Sequence, residues 1–471
     1  MLLKHTVIYF LVRGIPGLIN LLAIAVYTRL LSPLNYGRYA LTIAGIGFFN
    51  VLFFQWLRLS LIRFLSAHFK NPKLLLSSIL VGYFAILLLT GLVGILLALL
   101  WPDPVWRGFI FLSIPLLWIQ AWYELNLELA RGKLLPVKYG IIAGIKTVIA
   151  FILGVLMVFF GFETYGPLLG LFAGMLLVGF YSARSEWAGI KLTINKPLLY
   201  ELLRYGLPLT ASFAFGFVIN VSDRFIIAVM LGEATAGVYS ASYDLAYQSL
   251  YLIMTILNLS SFPIILNALE QKGESAAKDL SQKSTTLLLA VALPISITCI
   301  ILSPVIINLA FGNSYRTEAS IIFPIIAVAS LLSGIKTYHF DRSFHLSKWT
   351  VGQMWVLFIS AIVNAALNLI LIPYIGISGA AYATLFAYIL AIILSGYLGA
   401  KSFYLPFPWK NFFRISVSTM IMALSLILPS DWLNLWNALF NCSIAIAIYL
   451  FMLFVLNVGG IRSYLLLIIN K

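Results

Sequence analysis

Charged residues are scarce in this chain of 471 residues, at 10% of its positions, whereas 62% of its residues are hydrophobic. A soluble domain carries roughly 25% charged residues, and the mean hydropathy here is +1.03. The composition therefore excludes an ordinary soluble globular protein and predicts a polytopic membrane protein.

Residues suited to catalysis or metal binding are also few. Cys299 and Cys442 lie in different apolar stretches with no CxxC or Cys/His cluster, so we expect neither a disulfide nor a metal site. The two "GIKT" segments, at 144–147 and 334–337, lack the glycine spacing of a phosphate-binding loop. We expect interfacial positions near the inner helix ends for the four histidines, which are His5, His68, His339 and His345.

Long apolar stretches dominate what is present. A helix needs roughly 20 apolar residues to cross the hydrocarbon core, and such stretches are unlike the alternating strands of a membrane barrel. The first stretch is too long for a cleaved signal peptide, so we expect it to be retained. Fourteen spans are predicted, at 7–28, 39–62, 75–100, 109–130, 139–160, 166–183, 206–231, 238–266, 285–310, 320–340, 351–372, 379–399, 412–428 and 436–457.

The basic residues are distributed unevenly between the two faces. If both termini are cytoplasmic, the inner tails and loops hold 21 lysines and arginines, and the outer loops hold only 4. This asymmetry predicts cytoplasmic termini in a cytoplasmic (inner) membrane protein. It also accounts for most of the net charge of +15 without a nucleic-acid partner.

Two features recur along the chain. Gly37 and Tyr39, at the start of the second span, match Gly237 and Tyr239, at the start of the eighth. A stripe of small residues at a spacing of four, which permits close helix approach, occurs in the sixth span (Gly166, Gly170, Gly174) and again in the twelfth (Gly379, Ala383, Ala387). Such recurrence favours a duplicated six-helix unit.

The repetition predicts two pseudo-symmetric six-helix lobes, at 1–190 and 191–400, with two more transmembrane helices and a cytoplasmic tail at 401–471. An even number of spans in each unit gives the lobes the same orientation, related by an axis along the membrane normal. This arrangement is typical of transporters.

Two segments carry a resemblance to a known family. They are "LVRGIPGLINLLAIAVYTRLLSPLNYGRYAL" at 11–41 and "NVSDRFIIAVMLGEATAGVYSASYDLAYQ" at 220–248. The chain resembles the Wzx-like oligosaccharide flippases of the multidrug/oligosaccharidyl-lipid/polysaccharide exporter superfamily. The resemblance implies two lobes around a central cavity with alternating access, membrane lipids as surroundings, and a polyprenyl-diphosphate-linked oligosaccharide as cargo. Polysaccharide-assembly enzymes would be its partners.

Five basic residues lie within the spans. Arg58 and Lys336 lie near inner helix ends, where long side chains snorkel to the interface. Arg13, Lys146 and Arg224 are deeper, so we expect them to point inward, where they suit a diphosphate.

A buried ion pair is the alternative for these deep cations, and it is strongest at Arg224. That residue adjoins Asp223, and Asp244 lies on the next helix. Tyr27 is a candidate for stacking on the sugar or for the interfacial belt.

Acidic residues in the spans raise the question of energy coupling. Glu124, Asp223 and Asp244 are candidates either to bind a coupling proton or sodium ion or to form ion pairs. Glu128 and Arg131 are expected to form an interfacial pair at spacing three. No other cofactor is predicted.

Two other functions stay open. A cation-coupled multidrug exporter would share the fold. Such exporters typically carry an acidic residue in the first span, whereas the first acidic residue of this chain is Asp103, well after that span. A membrane enzyme acting on lipid-linked sugars, such as a polymerase or acyltransferase, calls for an acidic motif in a substantial outer loop, and the predicted outer loops are short. The sequence favours the flippase.

Overall fold

The structure is a computed structural model that describes residues 2–65, 67–68, 72–133, 135–427, 435–460 and 462. Side chains at 2–13, 185, 435, 436, 438 and 439 lie outside this description. Within the described ranges the secondary structure is helical and contains no β-strand. The predicted all-α membrane fold is therefore confirmed.

The chain forms two compact units, Met1–Ser240 and Ala241–Lys471. The lobes predicted from repetition, 1–190 and 191–400 with 401–471 appended, have other boundaries and stay a prediction. The first unit contains α1 (Leu2–Leu30), α2 (Pro33–Leu65), α3 (Lys73–Leu100), α4 (Pro104–Gly132), α5 (Pro136–Met157), α6 (Tyr165–Glu186), α7 (Lys196–Leu231) and the beginning of α8 (Glu233–Lys272).

In its described part, the second unit holds the rest of α8 and eight further α-helices. They are α9 (Glu274–Ile301), α10 (Ser303–Ala310), α11 (Asn313–Ile335), α12 (Arg342–Leu346), α13 (Thr350–Ile375), α14 (Ile377–Ser402), α15 (Trp409–Ile427) and α16 (Leu435–Val455). Short π-helical turns follow α5 at Val158–Phe162 and α11 at Lys336–Phe340.

Each predicted span falls on a helix. Among the described residues, eleven helices are long and apolar enough to cross a membrane, and α1 and α16 contribute shorter apolar segments, Gly14–Leu30 and Phe440–Val455. The predicted span 412–428 falls on α15. One boundary is wrong, because span 285–310 is broken at Leu302 between α9 and α10. Pro304 opens α10 and has no N–H to continue the helical hydrogen bonds of α9.

Local sequence sets several helix ends. Asp103 caps α4 because its carboxylate accepts a hydrogen bond from the Val105 backbone N–H at 2.8 Å. Asn195 caps α7 in the same way, through the Leu198 N–H at 3.0 Å. Gly232 alone separates α7 from α8 at φ 95°, a conformation that other residues rarely adopt.

Both small-residue stripes bring consecutive helices together. A Cβ at Gly170 would lie 2.6 Å from Cα of Gly154, so α6 approaches the backbone of α5 directly. A Cβ at Gly379 would lie 2.6 Å from the carbonyl carbon of Leu371, so α14 approaches α13 in the same manner. The close approach predicted from the spacing is confirmed for both pairs.

Each unit has its own apolar core. In the first unit the core is centred on α2, α3 and α4, with Phe54, Leu57 and Ile79 fully buried. In the second unit α15 and α16 pack on α9, and the Tyr449 hydroxyl donates to the Ala290 carbonyl at 2.7 Å. The helices predicted as an appended pair thus help to form the second core.

Candidate functional site

Glu124 on α4 forms a polar cluster with α2. It is paired with Arg58, and it accepts hydrogen bonds from Asn50 Nδ2 at 2.9 Å and from Gln120 Nε2 at 3.0 Å. The Arg58 side chain is only 13% exposed. The expectation that Arg58 snorkels to the interface is therefore wrong, because its charge is compensated by an acid on the neighbouring helix.

Further ion pairs lie at the C-terminal end of α4. Arg131 Nε lies 3.0 Å from Glu128 Oε2, which confirms the pair predicted from the spacing. Glu186 at the end of α6 pairs with both Lys133 and Lys138. Burial raises the pKa of Glu186, but the hydrogen bonds from the two lysines lower it by more than burial raises it. The net shift of this pKa is therefore downward.

Lys146 lies on α5 and faces α4. Its ammonium is 5.7 Å from the centroid of the Tyr123 ring, within the range of a cation–π interaction. Among the described residues it has no carboxylate partner. Arg13 belongs to α1, which packs against α5, but the Arg13 side chain lies outside the described residues.

Asp223 and Arg224 lie near the end of α7, and Asp223 is completely buried. The Tyr239 hydroxyl donates to Asp223 Oδ2 at 2.5 Å, and the Arg224 backbone N–H donates to Asp223 Oδ1 at 2.8 Å. Tyr239 was not predicted as a partner, although its match to Tyr39 in the repeated turn singled it out. Asp244 belongs to the second unit and is half-buried.

The repeated turns contact each other within the first unit. A Cβ at Gly37 would overlap the Glu233 carbonyl, and a Cβ at Gly237 would overlap the Pro33 carbonyl, so the contact is reciprocal. Glu233 strengthens it, because its carboxylate accepts from Arg38 Nε and from Trp106 Nε1, each at 2.6 Å. The sequence showed the repeat but not that its two copies touch.

A buried ion pair in the second unit was missed from the sequence. Lys336 Nζ donates to Asp341 Oδ2 at 2.7 Å across the π-helical turn, and both residues are at most 3% exposed. Ser395 Oγ and Gln353 Nε2 also donate to Asp341, at 2.8 Å and 3.2 Å. The snorkelling expected for Lys336 is therefore wrong.

Two more polar side chains lie beside this pair. Arg342 is 2% exposed, and its Nη2 donates to Asn258 Oδ1 at 3.1 Å and to Ser284 Oγ at 3.0 Å. His339 is also buried, with Nδ1 2.8 Å from Thr285 Oγ1, so the interfacial position expected for it is wrong. The signal in the sequence was the clustering of Lys336, His339, Asp341 and Arg342 in "KTYHFDR" at 336–342.

Tyr27 is buried in the first unit, with 5% of its surface exposed. Its ring makes edge contacts with Tyr39 and Phe151 at centroid distances of 6.0 Å and 6.4 Å. In this conformation Tyr27 packs between helices and does not present its face to a sugar.

The polar groups of the first unit thus differ in how far their charge is compensated. Arg58 and Arg38 each have a carboxylate partner, and Asp223 accepts two hydrogen bonds. Lys146 has an aromatic neighbour but no acid within ion-pair distance among the described residues. Of the predicted cargo-binding cations with described side chains, it is the one best suited to take an anionic ligand.

Comparisons with known proteins agree with this architecture. The chain is 22% identical over 273 residues to the probable low-salt glycan biosynthesis flippase Agl15 of Haloferax volcanii, across 57% of this chain and 56% of the relative. It is 25% identical over 264 residues to the amylovoran biosynthesis protein AmsL of Erwinia amylovora, across 53% of this chain and 66% of that protein. The similarity thus spans about half to two thirds of these curated relatives.

The solved structure of the lipid II flippase MurJ, in an inward closed conformation, shares the fold. The TM-score is 0.78 at 17% sequence identity, over 97% of this chain and 99% of MurJ. The model of the family described as polysaccharide biosynthesis protein matches residues 26–320. Because this match covers more than half of the sequence, the chain belongs to the family of polysaccharide biosynthesis proteins, and the predicted family resemblance is confirmed.

Proposed function

We propose that the protein is a transporter that flips a polyprenyl-diphosphate-linked oligosaccharide from the cytoplasmic to the outer leaflet by alternating access, during synthesis of a cell-surface glycan. The proposal is supported by family membership and by the word "flippase" in the names of Agl15 and MurJ. Polysaccharide-assembly enzymes would supply and consume this cargo. The protein would lie in the cytoplasmic membrane with both termini inside.

The observation that carries the proposal is the charge of Lys146, which has no acidic partner among the described residues. An ionised lysine inside an apolar helix costs about 3 kcal/mol on insertion scales, and the face of Tyr123 supplies up to about 2 kcal/mol in return. No acid completes the compensation among the residues described for this unit. A lipid diphosphate would provide the missing negative charge, and Arg13 and Arg224 are the further candidate ligands.

A coupling proton or sodium ion would drive the cycle. Of the three candidate acids, Asp223 is fully buried and hydrogen-bonded to Tyr239, and Asp244 is half-buried in the second unit. Glu124 has 23% of its side chain exposed and is paired with Arg58. Glu124 is thus reachable by an ion, whose binding would compete with Arg58 for the same carboxylate.

The experiment measures flipping of a short-chain polyprenyl-diphosphate oligosaccharide in proteoliposomes, by accessibility of the sugar to an external glycosidase. Lys146→Met should reduce flipping at least about tenfold, since it removes the charge and preserves an apolar side chain of similar length. Lys146→Arg should retain part of the activity. Lys283→Met, at an exposed position on α9, is the matched control and should flip normally.

Normal flipping by well-folded Lys146→Met protein would remove Lys146 from the cargo site. Chemical modification or polymerisation of the sugars, without translocation, would instead indicate an enzyme. If folded wild-type protein flips no lipid-linked sugar but exports cationic drugs against an ion gradient, the multidrug alternative is correct.

A further inference from the structure

The first unit contains a cavity of about 500 Å³, and no predicted cargo or coupling residue whose side chain is described lines it. Its walls come from the beginning of α2, the end of α3, the first half of α4 and the end of α7. All of these segments lie towards the face that carries the short connections between α1 and α2, α3 and α4, and α7 and α8. In the proposed orientation this is the half of the membrane nearest the outer surface.

The cavity is apolar because its few polar side chains are already occupied. The hydroxyls of Thr42, Thr90 and Ser113 donate to backbone carbonyls of their own helices at 2.7 to 2.8 Å. Glu233, at one edge, is held by Arg38 and Trp106. A sugar or other polar ligand would therefore lose its hydrogen bonds to water and find few free partners here.

The cavity also opens at the surface of the spanning helices. Ile46 and Phe109 form a buried floor, whereas Phe49, Trp101 and Val229 at the rim are 40%, 43% and 87% exposed. In a protein that spans the membrane, a pocket with such a rim would be open to hydrocarbon, and its aromatic walls favour an apolar occupant.

The volume limits what that occupant is. It is about three times the size of a cavity that accommodates one benzene molecule, so it would hold on the order of 18 carbon atoms. This corresponds to three or four isoprene units in a single chain. A phospholipid would have to separate its two acyl chains to place one of them there, whereas a prenyl lipid has only one chain.

A positive charge stands beside the outer end of the cavity. Arg107 is exposed, and its Nε donates to the carbonyl of the rim residue Trp101 at 2.6 Å. In the proposed orientation this bond would hold the guanidinium near the level of the lipid headgroups, with its other N–H groups able to contact a phosphate.

We propose that this cavity binds part of the prenyl chain of a polyprenyl-phosphate lipid in the outer leaflet, with the phosphate beside Arg107. The assignment rests on the proposed function, which brings such lipids to this leaflet. It adds a second site for the cargo lipid, on the release side, that contacts the tail and is separate from Lys146. A tail held there would keep the lipid beside the protein after flipping.

The test uses a short-chain polyprenyl phosphate with a photoreactive group on its tail and the full-length protein in phosphatidylcholine nanodiscs. After irradiation we expect labelled peptides within 41–53 and 90–117. An excess of unlabelled polyprenyl phosphate should abolish the labelling, whereas the same concentration of phosphatidylglycerol should not. Arg107→Gln should weaken binding severalfold, because one charged contact is lost.

Two variants test whether the photoreactive tail occupies the cavity. Gly45→Leu fills it, since a Cβ at Gly45 meets nothing nearer than Phe225 Cζ at 4.0 Å, and labelling should fall about tenfold. Val229→Trp obstructs the mouth from an exposed rim position and should act similarly without disturbing the fold. Gly144→Leu on α5, where a Cβ has no neighbour within 4 Å, is the matched control and should label like wild type.

Equal competition by phosphatidylglycerol would overturn the proposal and show an ordinary membrane-lipid site. Labelling that is unchanged in folded Gly45→Leu and Val229→Trp would overturn it as well. Because the assay measures binding alone, absence of flipping with intact labelling would remove the proposed function and leave the prenyl site standing.

Discussion

At the scale of single residues, the charges within the spans show where sequence reasoning succeeds and where it stops. The snorkelling predicted for Arg58 and Lys336 was wrong, because each forms an ion pair with a carboxylate. For Arg58 the acid lies on a different helix, at Glu124. For Lys336 it is Asp341, which the π-helical turn brings within 2.7 Å. Neither hydropathy nor depth reports such pairing.

The Lys336–Asp341 pair makes a strong prediction about stability. Asp341→Asn keeps the shape of the side chain but leaves the Lys336 ammonium buried without a counter-charge. We expect a loss of about 3–5 kcal/mol in the free energy of unfolding, measured by denaturant titration in detergent micelles. Asp279→Asn, which breaks the exposed pair with Lys283, is the control and should cost less than about 1 kcal/mol.

A second variant separates charge from packing at this site. Adding Lys336→Met to Asp341→Asn removes the uncompensated charge, so the double variant should recover most of the lost stability. If Asp341→Asn costs no more than the exposed control, the pair does not stabilise the fold and the buried-charge argument fails.

At the scale of helices, small residues spaced by four predicted which faces approach closely, and both stripes do so. The two π-helical turns and the break at Leu302 were not predicted. A hydropathy profile does not depend on which backbone N–H and C=O groups form hydrogen bonds with each other. These irregularities matter for function, because the second turn creates the Lys336–Asp341 cluster. A regular helix through 336–341 would place the two side chains on different faces.

The contact between α5 and α6 can be tested with one methyl group. In Gly170→Ala the new Cβ would lie 2.6 Å from Cα of Gly154, so the helices must separate. We expect a loss of about 1–3 kcal/mol in unfolding free energy. Gly144→Ala adds the same methyl group on α5, where nothing lies within 4 Å, and should cause no loss. Equal stability of the two variants would show that this approach is not tight.

At the scale of the whole molecule, composition and the long apolar stretches predicted the most. Fourteen apolar stretches predicted the long helices among the described residues, and the segments 11–41 and 220–248 indicated the family that the matched model at 26–320 established. The reciprocal contact of Gly37 and Gly237 was beyond the sequence, since it depends on how distant helices pack. The apolar cavity was missed for the same reason, because its walls come from four helices.

The orientation of the molecule links the charge asymmetry to both proposed lipid contacts, and it can be measured in intact cells. In a background with Cys299→Ser and Cys442→Ser, we expect a membrane-impermeant maleimide to label Ala234→Cys, an exposed site at the start of α8. Ala188→Cys, exposed between α6 and α7, should react only after the membrane is permeabilised. The reverse pattern would place the cavity beside Trp101 in the cytoplasmic leaflet. The prenyl chain bound in the cavity would then be that of a lipid that has not yet been flipped. The cavity would serve the loading of cargo instead of its release.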